Sequence, residues 1–177
     1  RKAYNYKVEY YYENIETSEY EKDNDKTEER TAKYKSKITS YEDKNITGYE
    51  LDENNTTSLP FTINDNTENP EINVIKVYYK RRIYNYKIEY YYENTETEEY
   101  EKDNSKTEEG TEKYGNKITS YEDKNITGYE LDEDNTTSLP FTINDDSQNS
   151  EINVIKVYYK RKAYNYKVEY YYENIET

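Results

Sequence analysis

Residues 71–97 read EINVIKVYYKRRIYNYKIEYYYENTET, and no other stretch limits the fold so strongly. The run is rich in Val, Ile, Tyr and Thr, which suit a pleated surface, and it holds no Gly, Pro or turn dipeptide. Its 27 residues far exceed one ordinary strand of roughly 5–6 residues. The run therefore predicts two strands in series, at about 72–79 and 84–93, joined by Lys80, Arg81, Arg82 and Ile83. None of those four is a small, flexible linker residue, so the joint is expected to be short, extended and stiff.

The joint recurs at 151–177, and its second half opens the chain. Tyr4-Asn5-Tyr6-Lys7 returns at Tyr84 and at Tyr164, a period of 80 residues. Residues 1–80 and 81–160 differ at 15 positions, and 161–177 copies 1–17 without change. Self-similarity at a fixed period marks a repeat array. The expected units are repeat 1 at 1–80, repeat 2 at 81–160, and the first strand of a third repeat at 161–177, within a longer array.

A charged fraction of 36%, a hydrophobic fraction of 32% and a net charge of −14 lean towards disorder. The 27 Tyr oppose this, because they fall with strand periodicity. In the first strand Tyr4, Tyr6, Val8, Tyr10 and Tyr12 share one face; Asn5, Lys7, Glu9, Tyr11 and Glu13 share the other, wet face. Tyr can bury a large ring and leave its hydroxyl in water. Tyr11, with its copies Tyr91 and Tyr171, is the aromatic on the polar side. Cross-strand packing accounts for it; so does an exposed platform for a glycan, with Asn5, Lys7 and Glu9 bonding sugar hydroxyls. Such binding would be weak per repeat and gain by avidity.

The remainder of one repeat reads as a polar loop or hairpin at 14–26 and a polar edge strand at 27–37, whose Lys residues protect an unpaired edge. Residues 38–45 suggest a short helix, with Thr39 and Glu42 at capping-box spacing and Ile38, Tyr41 and Asn45 on one helical face. Strands follow at 49–51, at 58–64, where Pro60 confines the strand to an edge, and at 72–79, apolar on both faces and so central. The class is α+β, mostly β.

The sequence holds no Cys, His or Met, which removes disulfides, thiolate metal sites and the usual general base. The acidic balance argues against nucleic acid as a partner, and no apolar run approaches the roughly 20 residues of a membrane span. Asp23-Asn24-Asp25 lacks the Gly and distal Glu of a calcium loop and reads as a solvated turn. Leu59-Pro60-Phe61-Thr62 fits the L-P-x-T core of a sorting signal, but Ile63 follows it and it recurs at 139–142, so it reads as a strand. Asn45-Ile46-Thr47 and Asn55-Thr56-Thr57 are sequons that a chain rich in Asn and Thr contains by chance. Lys7 and Asn73 fall on the first and last strands, where an amide cross-link is conceivable; only Glu9 is placed to assist, so free side chains are expected. No enzyme, cofactor or metal is expected.

Tyr6 to Tyr11, then Lys44-Asn45-Ile46-Thr47-Gly48-Tyr49-Glu50-Leu51, then Asn73-Val74-Ile75-Lys76-Val77-Tyr78-Tyr79-Lys80 together resemble the MucBP (mucin-binding-protein) repeats of Gram-positive surface adhesins. Those units open on V-x-Y-V-D, carry I-P-G-Y-x-L and end on V-x-Y-x-Y. Here Glu13-Asn14 stands for the family's D-x-x-G turn and Thr47 for its Pro. The resemblance implies ubiquitin-like (β-grasp) modules in tandem, outside the cell, on a bacterial surface or cell wall. The expected function is a rigid stalk or spacer, with modules joined end to end into a rod. The alternatives are a glycan- or mucin-binding module, and a filament in which 161–177 completes another molecule's sheet by strand addition. Partners are thus neighbouring repeats, host glycans or mucin, or other copies of the chain. The core face uses odd positions at 75, 77 and 79 but even ones at 84, 86 and 88. Successive repeats are therefore expected to be turned by a large angle.

Overall fold

In the computed structural model, which describes residues 1–173, the alternating run at the start of the chain becomes a central strand. This strand, β1 (Ala3–Glu13), pairs antiparallel with β2 (Tyr20–Lys33). On its other side it pairs parallel with β6 (Val74–Arg81). Beyond β6 lies the short antiparallel β4 (Tyr49–Leu51), so the sheet order is β2-β1-β6-β4. A two-residue ribbon joins β3 (Lys37–Ile38) to β5 (Phe61–Thr62). A 3-10 turn at Pro70–Asn73 leads into β6.

The second copy repeats the plan. Its central strand β7 (Ile83–Glu93) lies between the parallel β13 (Val154–Arg161) and the antiparallel β8 (Tyr100–Lys102) and β9 (Glu108–Lys113). β11 (Tyr129–Leu131) flanks β13, and β10 (Lys117–Ile118) pairs with β12 (Phe141–Thr142). The polar arm departs from expectation. In the first copy β2 starts at Tyr20 and shortens the loop to 14–19, because a register shift between Val8 and Tyr10 brings Asp23, Lys22 and Glu21 opposite Tyr10, Tyr11 and Tyr12.

The core is the even face of β1 (Tyr6, Val8, Tyr10, Tyr12) with the odd face of β6 (Ile75, Val77, Tyr79), joined by Tyr49 and Ile63. At the joint the inward positions change from odd (75, 77, 79) to even (84, 86, 88), as expected. The wet face is less wet than expected: Glu9 and Glu13 are both buried. Glu9 is covered because the Tyr11 hydroxyl and the Lys22 ammonium both bond its carboxylate.

No α-helix occurs among the described residues, so the fold is nearly all β rather than α+β. Residues 39–46, expected to be helical, run as a strap without regular structure. The cause is the sheet beneath. The Tyr10 hydroxyl donates to the Glu42 carbonyl at 2.8 Å and the Tyr12 hydroxyl to the Lys44 carbonyl at 2.5 Å. The Tyr79 hydroxyl accepts from the Lys44 N–H at 2.9 Å and donates to Asp43 Oδ1 at 2.6 Å. Backbone groups that a helix would pair internally are paired outward instead. Tyr90, Tyr92 and Tyr159 hold Glu122, Lys124 and Asp123 in the same way.

Residues 162–173, the described part of the expected first strand of a third repeat, have no regular structure. Tyr10 is 0% exposed, whereas Tyr170, the same residue of the same sequence, is 79% exposed. No described strand flanks this third copy, and propensity alone does not hold a single strand. Residues 174–177 of the expected strand lie outside the described residues.

Replacing Tyr12 and Tyr92 together by Phe keeps both rings but leaves the Lys44 and Lys124 carbonyls without their donors. The expected cost is about 1–2 kcal/mol per copy, read as a lower urea midpoint with an unchanged slope. The pH dependence follows from the same groups. Burial, then the neighbouring Glu28, push the Tyr10 phenol up; burial, then the bond to Asp43, push up Tyr79. A phenol whose folded pKa is raised contributes stability that is complete below the ordinary Tyr value of about 10 and is lost as pH rises above it. Alkaline unfolding should therefore start above that value, with tyrosinate absorbance appearing together with loss of β-structure.

Candidate functional site

The joint is the most elaborated surface of the molecule. β6 ends at Arg81 and β7 begins at Ile83, so Arg82 alone separates two sheets. Arg81 continues the odd series Ile75, Val77, Tyr79 and is only 2% exposed. Glu13 closes β1, the neighbour of β6, and is 5% exposed. The Arg81 backbone N–H donates to Glu13 Oε2 at 3.0 Å, and its NH2 donates to Glu13 Oε1 at 3.3 Å and to Ser18 Oγ at 3.1 Å. Its NH1 crosses to the next copy, donating to the Tyr114 carbonyl at 3.1 Å and to Asn116 Oδ1 at 2.6 Å. Lys113 returns the contact with Nζ at 2.6 Å from Glu13 Oε1.

Packing and backbone bonds reinforce this cluster. The Tyr114 ring lies on Gly48, where a Cβ would stand 2.4 Å from ring carbons, and meets Tyr49 and Tyr84 edge-on at 6.1 and 6.4 Å. A Cβ on Gly115 would stand 2.8 Å from Ile15 Cδ1. Arg82 donates its N–H to the Gly48 carbonyl at 2.8 Å and its Nε to the Tyr49 carbonyl at 2.9 Å, while accepting from the Tyr114 N–H at 2.8 Å. Burial pushes the Glu13 carboxyl up, but the bonds from Lys113 and from the Arg81 backbone outweigh it and hold the group below the ordinary Glu range. The short joint expected from the sequence is present as a single residue between strands, but the sequence does not reveal this cluster. The signal was a charged residue, Arg81, at the parity of the core.

The outer face carries the tyrosines expected to bind sugars. Tyr11 stacks on Tyr78 at 4.7 Å with an interplanar angle of 18°, and Tyr20 meets Tyr78 edge-on at 5.0 Å. The Tyr11 hydroxyl donates to Glu9 at 2.7 Å. Tyr91 repeats this with Tyr158, Tyr100 and Glu89. Tyr171 is exposed and donates to Glu169 Oε2 at 2.6 Å. Lys7, expected beside Tyr11, extends its Nζ instead to 3.6 Å from Glu29. Asn73 is buried, with its amide bonded to the Asn64 carbonyl at 2.8 Å and its Oδ1 to the Asn64 N–H at 2.9 Å, so although Lys7 lies opposite the adjacent Val74, the two side chains are engaged with other partners. Asp23 accepts from the Asp25 and Lys26 N–H groups and pairs with the Lys26 ammonium at 2.8 Å, the bonding of a turn. Among the described residues no cluster of acidic side chains is arranged for a metal, and no helix is long and apolar enough to cross a membrane.

A carboxyl with a depressed folded pKa contributes stability that is complete above the ordinary Glu value of about 4.3 and is lost as pH falls through the lower folded value. The Tyr114 ring should shift the NMR signals of the Gly48 α protons, and that shift should fade in acid below this value. In Glu13→Gln it should already be reduced at neutral pH and should vary little with pH.

No family model and no curated protein matches the chain. Among solved structures the chain is similar to the "Type 2 repeat of the mucus binding protein MUB from Lactobacillus reuteri". The match has 14% identity and a TM-score of 0.27, and it covers 89% of this chain and 100% of that one. That title names a repeat of a mucus binding protein, and the segments around Tyr6, Gly48 and Val77 resemble mucin-binding-protein repeats.

Proposed function

We propose that the chain is a non-catalytic part of a tandem array, a stiff spacer in an extracellular bacterial surface protein involved in adhesion. Its folding units are 1–80 and 81–160, with a third begun at 161. Each unit is a β-grasp sheet in which the first strand lies beside the last in parallel and the strap at 39–46 takes the helix's place. The observation that carries this reading is the one-residue connection sealed by Arg81, Glu13 and Lys113. Bending at the joint would break the Arg81 bonds to the Tyr114 carbonyl and Asn116 and draw Lys113 away from Glu13, so it is opposed. A net charge of −14 keeps crowded arrays apart.

Small-angle scattering of arrays with two and four repeats tests the reading. Length should grow nearly in proportion to repeat number, and Arg81→Ala should broaden the distance distribution. Growth as the square root of repeat number would mean free joints and would sink it.

A second reading rests on the Tyr11–Tyr78 and Tyr91–Tyr158 stacks, which form small aromatic platforms on the outer face beside Glu9 and Glu89. Here Tyr11, Tyr91 and Tyr171 take a host glycan such as mucin weakly, one site per repeat. On a glycan array, the full chain should bind measurably only at high surface density, and Tyr11→Ala, Tyr91→Ala and Tyr171→Ala combined should abolish it. Binding that survives the triple substitution would place the site elsewhere.

A further inference from the structure

The two copies differ at 15 positions, and five of these, Ile15, Ser18, Glu112, Gly115 and Asn116, meet at the joint between them. The differences compensate in two independent ways. The first is size. Gly115 has φ 80° and Lys35, its counterpart in the first copy, has φ 64°, so this left-handed position tolerates a lysine. A side chain at Gly115 would instead press on Ile15, whose Cδ1 would stand 2.8 Å from a Cβ. The second copy presents the shorter Thr95 at the position of Ile15.

The second compensation is in hydrogen-bond acceptors for the joint arginine. Arg81 receives Ser18 from below and Asn116 from above, and Asn116 is itself held by Glu112 at 2.8 Å. The first copy's upper face carries Ala32 and Ser36 at those places and lacks this anchored amide. The second copy's lower face carries Glu98 in place of Ser18, and its Oε1 stands 3.3 Å from Arg161 NH2. An acceptor missing above is thus present below. The second copy's socket is also open: a Cβ on Gly128 would meet nothing within 4 Å, although the equivalent Gly48 is covered by Tyr114. The first copy's Tyr34, equivalent to Tyr114, is exposed. Residues 162–163 are Lys-Ala as at 2–3, not Arg-Ile as at 82–83.

We propose that the repeats are of two joint types, and that the lower face of each type accepts the upper face of the other. The face with Ile15 and Ser18 takes Gly115 and Asn116. The face with Thr95, Glu98 and the open Gly128 socket takes a repeat of the first type, through Tyr34, Lys35 and Ser36, with Glu98 opposite the lysine. The joints therefore dictate an alternating order of repeats. This rests on the stiff-joint reading above.

The test is a mutant cycle in the full chain, read by the Tyr114-induced shift of the Gly48 α protons. Contacts within the second core, such as Tyr92 to Tyr159, report that it stays folded. Gly115→Lys should raise the undocked population about tenfold, and adding Ile15→Thr should restore most of the docking. Gly115→Ala should act in the same direction and also be rescued by Ile15→Thr; it serves if the lysine variant fails to fold. Exchanging all five positions for the other type's residues (Ile15→Thr, Ser18→Glu, Glu112→Ala, Gly115→Lys, Asn116→Ser) should dock as the wild type does. Normal docking of Gly115→Lys, or failure of Ile15→Thr to rescue either variant, would overturn the proposal while leaving the stiff joint intact. A wild-type chain with no Gly48 shift would overturn both.

Discussion

The hydroxyl groups of buried tyrosines are the interaction on which each sheet depends. A unit of this size has little apolar residue to bury, and no α-helix among the described residues covers the core face. Tyr10, Tyr12 and Tyr79 supply ring area to the core and then reach through it to hold the backbone of the strap. Tyr12 and Tyr79 stack at 5.2 Å, and the Lys26 ammonium lies 4.1 Å from the Tyr12 ring. A leucine would supply the apolar area but leave the carbonyls of Glu42 and Lys44 short of a donor. This explains how a chain with so few aliphatic side chains still folds.

The joint applies the same rule to charge. A buried arginine needs its charge paired and its donors matched; the two terminal nitrogens of Arg81 find acceptors in both copies, while its Nε has no partner among the described residues. Matching across the boundary turns two adjacent sheets into one supported structure. The outer-face tyrosines follow it more weakly: Tyr11 is half-buried, and its hydroxyl stays on Glu9.

Much of the sheet was legible from local pattern. Strict alternation marked β1, the apolar run marked β6 as central, and Gly48 marked the entry to β4. The strap was not legible, because Thr39 and Glu42 are a local signal whereas the hydroxyls that override it lie 32 residues away in Tyr10 and Tyr12. The burial of Glu13 was also hidden, since its partners Arg81 and Lys113 come from the far end of one copy and the middle of the next. Tyr171 marks the limit of reading a sequence alone. It shares the local sequence of Tyr11, yet it is exposed, and no strand among the described residues lies beside it. The outer-face cluster was half legible: alternation put Tyr11 on that face, but only pairing with β6 brings Tyr78 over it.

The parallel pairing of β1 with β6 governs how a pulling force would travel. The chain enters one end of the sheet at Ala3 and leaves the opposite end at Arg81, and the two strands are registered from Lys7 opposite Val74 to Tyr12 opposite Tyr79. Tension along the array therefore drags β1 and β6 lengthwise past each other. Their ladder is sheared as a whole, with every bond loaded together, instead of being unzipped one bond at a time. The Arg81 cluster sits where one sheared pair hands the load to the next.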